Sequence, residues 1–275
     1  MKRIAIVGAV AGAAIGLLGL TPAQAAESPA MLSVLHGVPD LTVDVYVNDE
    51  LTLDDFTPGS LAGPLELPAG TYSVAITAAD AADASAPAIG PIDLNLAAGM
   101  NYTAVAHLTA AGEPTATLFT NDTAPTAAGQ GRLTVRHVAA APAVDVLAGG
   151  TAVISNLANP NESKLDLPAG TISASVAATG TTDPVIGPAD VAVAEGANTI
   201  VYAWGSLEDD NLALAIQTVT GMSTAPGDVP AGSAGLVATN ANEPATVVWI
   251  AGGAALLLFI AAATLVVLRR GAGAR

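Results

Sequence analysis

The 275-residue sequence contains no cysteine, which excludes disulfides, thiolate nucleophiles and cysteine-ligated metals. Aromatic residues make up only 3% of the chain, so few side chains are available for stacking on sugar rings. Charged residues are also sparse, at 12%, whereas 52% of the residues are hydrophobic. This balance is too apolar for an ordinary soluble chain, and it indicates that apolar segments raise the average.

Basic residues are nearly missing from the middle of the chain. All 24 acidic residues lie between Glu27 and Glu243, where the basic residues are only Arg132, Arg136 and Lys164. A surface of this sign repels nucleic acid, anionic lipid and anionic wall polymers. We therefore expect no nucleic-acid partner.

The N-terminus has the order of a secretory signal. Lys2 and Arg3 precede an apolar run from Ile4 to Leu20, and the small-residue triplet Ala23-Gln24-Ala25 follows. An uncleaved anchor is the alternative, but the run is short for a spanning helix and is followed by a proline. The pattern predicts a signal peptide over residues 1–25.

The region near the C-terminus has the pattern of a membrane anchor. Residues 246–268 carry no charge and would form a helix of about 35 Å, enough to cross a hydrocarbon core of about 30 Å. Arg269, Arg270 and Arg275 follow, and positive residues stay on the cytoplasmic side. We expect a transmembrane helix over 246–268, a cytoplasmic basic tail over 269–275 and extracellular domains before them. Residues 221–245, rich in Pro, Gly, Ala and Ser, are predicted to be a flexible tether.

The middle of the chain contains a tandem duplication. The run "LSVLHGVPDLTVDVYV" from Leu32 matches "LTVRHVAAAPAVDVLA" from Leu133, and "PAIGPIDLNLAAG" from Pro87 matches "PVIGPADVAVAEG" from Pro184. Between these blocks, "LPAGT" occurs in both copies. Three blocks in the same order predict one repeat over residues 31–122 and a second over 132–220.

Each repeat has the pattern of short β-strands. Apolar residues alternate with polar ones, as in "TVDVYVN" and "TYSVAIT", and Gly, Pro, Asn and Asp bound the runs. No segment of either repeat favours a helix. We expect an all-β chain with two tandem antiparallel β-sandwich domains, immunoglobulin-like or transthyretin-like, followed by one C-terminal transmembrane helix.

The repeated "LPAGT" run is interpreted as architecture rather than as an address. A cell-wall sorting signal has a different residue order and lies just before a C-terminal apolar segment, whereas these copies lie mid-chain. Proline at the second position of a turn presets φ, and glycine suits the fourth position of a type I turn. Pro68 and Gly70, and Pro168 and Gly170, are therefore predicted to shape two equivalent turns.

The paired blocks resemble the bacterial family called domain of unknown function 4397. Its units open with a strand ending in His, continue through a Pro/Ala-rich stretch to Val-Asp-Val, and then reach a Pro-Ala-Gly-Thr turn. The resemblance covers about residues 32–221. The first copy departs from the family pattern at "HGVPDLT". The second copy has "VLAGG" where the first has "VYVND". The resemblance implies a secreted or surface-anchored β-domain, often in tandem, with no established activity.

The repeated pairs His36/Asp44 and His137/Asp145 are the main candidates for a chemical site, because a carboxylate can orient an imidazole for acid-base work or metal binding. Strand parity argues against this use. His36 shares its face with Val34, whereas Asp44 alternates with the neighbouring valines, so the two project to different sides unless a bulge intervenes. We expect a His hydrogen-bonded at a strand end and an Asp that fixes a neighbouring loop, and we assign no catalytic, cofactor or metal-binding residue.

Acidic loops offer a second kind of site. Asp54-Asp55 and the run Glu208 to Asp210 could bind calcium weakly, but they lack the spacing of a calcium loop. His107 has no histidine counterpart in the second repeat, and we expect it to be incidental.

The expected function is therefore a non-catalytic, membrane-anchored extracellular protein that serves as a surface binding, adhesion or spacer module. Its expected partners are the membrane and an extracellular protein or envelope ligand. The alternatives are a cell-envelope enzyme that uses the His/Asp pairs and a calcium-dependent ligand receptor.

Overall fold

The computed structural model describes residues 27–223, and those residues form sixteen β-strands. The first copy comprises β1 (Ala30–Gly37), β2 (Val43–Val47), β3 (Glu50–Phe56), β4 (Leu61–Leu67), β5 (Gly70–Ala78), β6 (Ile89–Leu96), β7 (Asn101–Leu108) and β8 (Pro114–Thr120). The second comprises β9 (Gln130–His137), β10 (Val144–Ala148), β11 (Thr151–Leu157), β12 (Glu162–Pro168), β13 (Gly170–Ala178), β14 (Pro184–Val193), β15 (Asn198–Trp204) and β16 (Ala213–Val219).

Several predicted segments lie outside the described residues. These are the signal peptide (1–25), the transmembrane helix (246–268), the basic tail (269–275) and nearly all of the tether (221–245). Within residues 27–223, no helix is long and apolar enough to cross a membrane.

The strands of each copy form two four-stranded sheets in the same order. One sheet of the first copy has the order β4-β1-β7-β8 and the other has β3-β2-β5-β6. The second copy repeats both orders, with every strand number raised by eight. We call the copies sandwich 1 and sandwich 2. The shared order confirms the predicted all-β class and tandem duplication.

The prediction of purely antiparallel sheets is wrong for one sheet of each sandwich. β1 runs parallel to β7, and β9 runs parallel to β15, while the other neighbouring strands pair antiparallel. A hairpin forces its two strands to be antiparallel, but five strands separate β1 from β7, so no short connection sets their relative direction. We call the sheets that contain these parallel pairs the mixed sheets.

Two-residue turns set the hairpin between β2 and β3 and its copy between β10 and β11. Asn48 and Asp49 have φ values of 51° and 65°, and Gly149 and Gly150 have 56° and 81°. Two central residues with positive φ give a type I′ turn, whose twist matches that of the paired strands. Asn, Asp and Gly adopt this conformation at low cost, which explains why different residues serve in the two copies.

The two "LPAGT" runs lie at equivalent bends that connect the sheets. β4 leads into Pro68 and β5 begins at Gly70, yet these strands belong to different sheets. In the second copy β12 ends at Pro168 and β13 begins at Gly170, with the same change of sheet. In sandwich 1 the Tyr72 hydroxyl donates to the Pro68 carbonyl at 2.8 Å. Each bend therefore carries the chain across its sandwich rather than closing a hairpin between paired strands.

The central strands of the mixed sheets are buried on both faces. One face packs on the other sheet of the same sandwich, as the alternation predicts. The opposite faces of the two mixed sheets share an apolar cluster formed by Leu35, Val105, Phe119, Val138, Ile200 and Tyr202. An alternating pattern ordinarily indicates a strand with one buried face, but here both faces are buried because each copy covers the outer face of the other. The two sandwiches thus share a continuous buried junction.

The packed body extends to the last described residues. Met222 is fully buried, its N–H donates to the Gly196 carbonyl at 2.8 Å, and its carbonyl accepts from the Thr126 N–H at 2.9 Å. Thr126 belongs to the segment that connects the sandwiches. The chain after β16 therefore returns to that segment.

Candidate functional site

His36 and His137 lie near the ends of equivalent strands and in the protein interior, with 1% of each residue exposed. Nε2 of His36 donates to the Leu41 carbonyl at 2.6 Å, and Nε2 of His137 donates to the Pro142 carbonyl at 2.9 Å. A carbonyl only accepts, so Nε2 carries the proton in both rings. Each acceptor lies five residues after its histidine. The ring therefore fastens the following loop to the strand end.

Burial also sets the charge of these rings. Desolvation lowers the pKa of His36 and of His137, although the bonded backbone carbonyls partly offset it. Desolvation likewise lowers the pKa of His107, whose ring nitrogens lie 2.8 Å from the Leu108 carbonyl and 2.9 Å from Thr117 Oγ1. All three rings are thus favoured in the neutral form.

Asp44 and Asp145 accept backbone hydrogen bonds from the strand that follows each of them. Oδ1 of Asp44 accepts from the Asp55 N–H at 2.9 Å, and Oδ1 of Asp145 accepts from the Asn156 N–H at 2.8 Å. Asp55 and Asn156 have positive φ values of 50° and 56° and lie where the pairing of β3 and of β11 is irregular. Oδ2 of Asp145 also accepts from the Gly180 N–H, and the Gly180 and Asn156 bonds lower the pKa of Asp145. The carboxylates therefore hold two equivalent bulges.

The histidines and aspartates flank the same loop in each copy, but they bond to different groups. The imidazoles bond to backbone carbonyls and the carboxylates to backbone N–H groups, with no direct bond between His36 and Asp44 or between His137 and Asp145. A general base must reach a proton on its substrate, and these rings are buried. This arrangement favours loop fastening over acid-base chemistry.

Three carboxylates converge in sandwich 1. Ligand oxygens of Asp44, Asp54 and Asp55 lie within 4.8 Å of one another. Residues Ser155 and Asn156 stand at the corresponding places of sandwich 2, so the trio is not repeated. Calcium takes six to eight oxygen ligands, and three carboxylates supply only part of such a shell. The sequence indicated the Asp54-Asp55 pair but not Asp44, because a bulge brings Asp44 to it.

A buried arginine lies at the junction of the two sandwiches. Arg136 is 0% exposed, and its Nε donates to Glu162 Oε2 at 2.8 Å. A terminal guanidinium nitrogen donates to the Tyr202 hydroxyl at 2.8 Å, and the guanidinium carbon lies 4.3 Å from the centre of the Phe119 ring. Phe119 belongs to sandwich 1 and the other three residues to sandwich 2. One cation therefore links an ion pair to a cation–π contact across the junction.

Further buried polar groups continue this network across the junction. The Tyr202 hydroxyl donates to Gln217 Oε1 at 2.6 Å, and the Thr103 hydroxyl donates to the same oxygen at 2.9 Å. Gln217 Nε2 donates to the Ser33 hydroxyl at 3.1 Å. Desolvation by burial raises the pKa of Tyr202, so its hydroxyl stays protonated and able to donate.

An open groove of about 570 Å³ lies beside the network, between the two copies. Asn121 and Asp122 line it from the end of sandwich 1, and Glu162 and Lys164 line it from β12. The Lys164 ammonium lies 3.1 Å from a Glu162 oxygen and 3.6 Å from an Asp122 oxygen. Charges of both signs are therefore paired within the groove.

Comparison with known families gives a match in both copies. The family model described as Domain of unknown function (DUF4397) matches residues 30–147 and again residues 138–244. The chain belongs to this family. The double match confirms two tandem DUF4397 copies, as the paired sequence blocks indicated. No curated protein matches the chain.

We expect replacement of His137 by alanine to lower the free energy of unfolding of the DUF4397 tandem by about 1–3 kcal/mol. The change removes the hydrogen bond to Pro142 and leaves a small cavity. Urea unfolding of a fragment spanning residues 26–223 would measure the effect. The exposed substitution Thr151→Ala serves as control and should change stability by no more than about 0.5 kcal/mol. Unchanged stability together with lost partner binding would identify His137 as a site residue.

We also expect the tandem to lose stability as the pH falls below about 6.5. His36, His107 and His137 take up protons near that pH in the unfolded chain, but burial lowers their pKa in the folded chain. The unfolded state then binds more protons, and each histidine adds a slope of up to about 1.4 kcal/mol per pH unit until its folded pKa is reached. Urea unfolding between pH 8 and pH 5 tests this. A flat profile would contradict it, and His137→Gln should reduce the slope.

Proposed function

We propose that this chain is a non-catalytic surface protein whose two DUF4397 sandwiches act as one rigid binding, adhesion or spacer module outside a membrane. One observation carries the proposal. The mixed sheets bury Leu35 and Val105 of one copy against Ile200 and Tyr202 of the other, and polar side chains bond across the same junction. A junction that is both apolar and hydrogen-bonded resists hinge motion, and a fixed geometry suits a scaffold that presents or spaces a surface.

The proposed placement rests on the sequence pattern of the ends. A signal peptide over 1–25 would export the chain, and a helix over 246–268 with the basic tail 269–275 would anchor it with the tail in the cytoplasm. The tether over 221–245 would keep the sandwiches near the outer face of the membrane. For the fold type we propose immunoglobulin-like or transthyretin-like sandwiches, supported by strands that alternate between two facing sheets.

The proposed partner is an extracellular protein or an envelope ligand that is not strongly anionic. Acidic residues greatly outnumber basic ones in this part of the chain, and a partner with an uncharged or basic face would approach without repulsion. Nucleic acid does not fit this charge.

The enzyme alternative is weaker, because the imidazoles of the His/Asp pairs are buried and bonded to backbone. The calcium-receptor alternative has one favourable observation, which is the carboxylate trio of Asp44, Asp54 and Asp55. Only one of the two copies has this trio.

A capture experiment with the fragment spanning residues 26–223 tests the module. If the fragment retains the same surface proteins in the presence of calcium and in the presence of a chelator, the result supports a calcium-independent binding module. Capture that chelator abolishes, and that Asp54→Asn also abolishes, would replace the proposal with the calcium receptor.

Protease added to intact cells tests the placement, since it should remove both sandwiches and leave a small C-terminal fragment. Protection of the sandwiches in cells with an accessible surface would contradict it.

A further inference from the structure

Sandwich 1 contains a cavity of about 260 Å³ between its two sheets, whereas the equivalent space in sandwich 2 measures about 20 Å³. Side chains of both sheets line the larger cavity, and those in its interior are aliphatic, such as Leu32, Val45, Val74, Ile76, Ile92 and Leu94. The two copies share one fold, so the difference lies in side chains and local geometry.

Two alanines mark the difference between the copies. In the β1–β7 ladder Val34 pairs with Ala104, and in the β9–β15 ladder Val135 pairs with Val201. Ala104 therefore stands where sandwich 2 has Val201, and both side chains line the respective spaces.

The second alanine lies on the next strand. Ala106 pairs with Ala116 in sandwich 1, and Ala203 pairs with Leu214 in sandwich 2. Ala116 and Leu214 are thus equivalent and also line the two spaces. In sandwich 2 the larger side chains of Val201 and Leu214, both on the mixed sheet, fill the space that Ala104 and Ala116 leave open in sandwich 1.

The apolar cores differ in the same way. The buried core of sandwich 2 is one continuous cluster, which includes Leu133, Val146, Val176 and Val201. The core of sandwich 1 is divided into two clusters, one around Val45 and Ile76 and another around Leu32 and Leu94, and all four of these residues line the cavity. The cavity is lined by both clusters, and Val74 and Ile92 pack against each of them.

The cavity has a mouth at the edge of the sandwich. Exposed Asn48, Glu50 and Thr52 line it at the β2–β3 hairpin, and β3 and β4 are the edge strands of their sheets. Pairing of β4 with β1 shifts near Gly63, whose φ is 100° and where an added Cβ would lie 2.7 Å from a backbone oxygen. The equivalent pairing of β12 with β9 continues without a shift. Of the two sandwiches, only sandwich 1, which has the larger cavity, shows this irregular pairing at its edge.

We propose that this cavity binds a hydrocarbon chain whose head group is uncharged or cationic. An apolar cavity of about 150 Å³ is already large enough to take up benzene, because water gains no hydrogen bonds inside such a space. The exposed carboxylate of Glu50 lies at the mouth, and residues 27–131 contain no lysine or arginine to pair with an anionic head. A fatty-acid carboxylate is therefore disfavoured relative to an alcohol or an ammonium of equal chain length. This site is independent of the proposed function of the tandem.

Binding of simple alkyl probes tests the site. Residues 27–223 contain every described strand with its pairing partners and all four apolar clusters. We therefore expect the fragment 26–223 to fold without the ends of the chain, and it is measured beside the full chain. The probes are 1-octanol, 1-nonanol, 1-decanol, decylammonium and decanoate, each below its self-association concentration. Methyl NMR shifts of the cavity residues and the unfolding temperature report binding. We expect affinity to rise about fourfold for each added CH₂, and decanoate to bind more weakly than decanol or decylammonium.

Two variants separate this site from general hydrophobic adsorption. Ala104→Val with Ala116→Leu copies the side chains of sandwich 2 and should abolish alkanol binding while leaving the unfolding temperature equal or higher. The exposed change Ala152→Val adds methyl groups elsewhere and should leave binding unchanged.

A second test does not depend on repacking the core. Glu50→Gln alters only an exposed side chain and should bring decanoate affinity up toward that of decanol. Saturable binding that the filled variant retains, binding without dependence on chain length, or no binding of any alkanol by the folded wild type would each overturn the proposal.

Discussion

Replacing Glu162 with alanine is expected to lower the free energy of unfolding of the tandem by about 3–5 kcal/mol. Arg136 is fully buried, so loss of the carboxylate leaves an unpaired guanidinium cation at the junction. The contact with Phe119 and the bond to the Tyr202 hydroxyl offset only part of that cost. Denaturant unfolding of the fragment 26–223 gives the difference directly.

Two comparison variants locate the source of this effect. Lys164→Ala on the same strand removes a more exposed ion pair with Glu162 and should cost no more than about 1 kcal/mol. Arg136 pairs with Glu162 as Leu35 pairs with Leu61 in sandwich 1. The double change Arg136→Leu with Glu162→Leu should therefore recover most of the stability, because apolar residues often replace a buried ion pair at little cost. Equal losses in Glu162→Ala and Lys164→Ala would contradict the buried-charge explanation.

The second large effect is expected from Ile200→Ala, which should cost about 2–5 kcal/mol. Ile200 is 0% exposed and belongs to the apolar cluster shared by the two mixed sheets. The matched control is Ile216→Ala on the neighbouring strand, where 49% of the residue is exposed. That control should change stability by about 0.5 kcal/mol or less. If Ile200→Ala matched the control, the outer faces of the mixed sheets would not be in contact in solution.

The repeated sequence blocks predicted much of the fold. Alternation in "TVDVYVN" and "TYSVAIT" correctly marked β2 and β5, and the two copies of each block predicted two copies of one strand order. The parallel pairing of β1 with β7 was not predictable from local pattern. Five strands lie between β1 and β7 in the chain, and no local residue pattern records which distant strands become neighbours in a sheet.

Arg136 shows why the junction could not be found from the sequence. In "LTVRH" it alternates with Leu133 and Val135, which is the pattern of a solvent-facing residue on a half-buried strand. The other copy covers Arg136 with Phe119, which lies in β8 of sandwich 1. The alternation places Arg136 on the face opposite Leu133 and Val135, but it cannot show what covers that face.

The candidate site was only partly predictable for a related reason. Parity placed His36 and Asp44 on different sides of their strands, and the structure bonds them to different groups. The contact of Asp44 with Asp55 depends on a bulge, which shifts the register by an amount that alternation does not encode. The size of the cavity near Ala104 depends on the spacing of two sheets, which is set by many side chains together.

The central claim is that two DUF4397 copies form one packed body through their mixed sheets. Differential scanning calorimetry of the fragment 26–223 tests it most directly. We predict a single unfolding transition in which the calorimetric and van't Hoff enthalpies agree, with far-UV circular dichroism and Trp204 fluorescence changing at the same temperature. Two separate transitions, with neither shifted by Ile200→Ala, would contradict the claim.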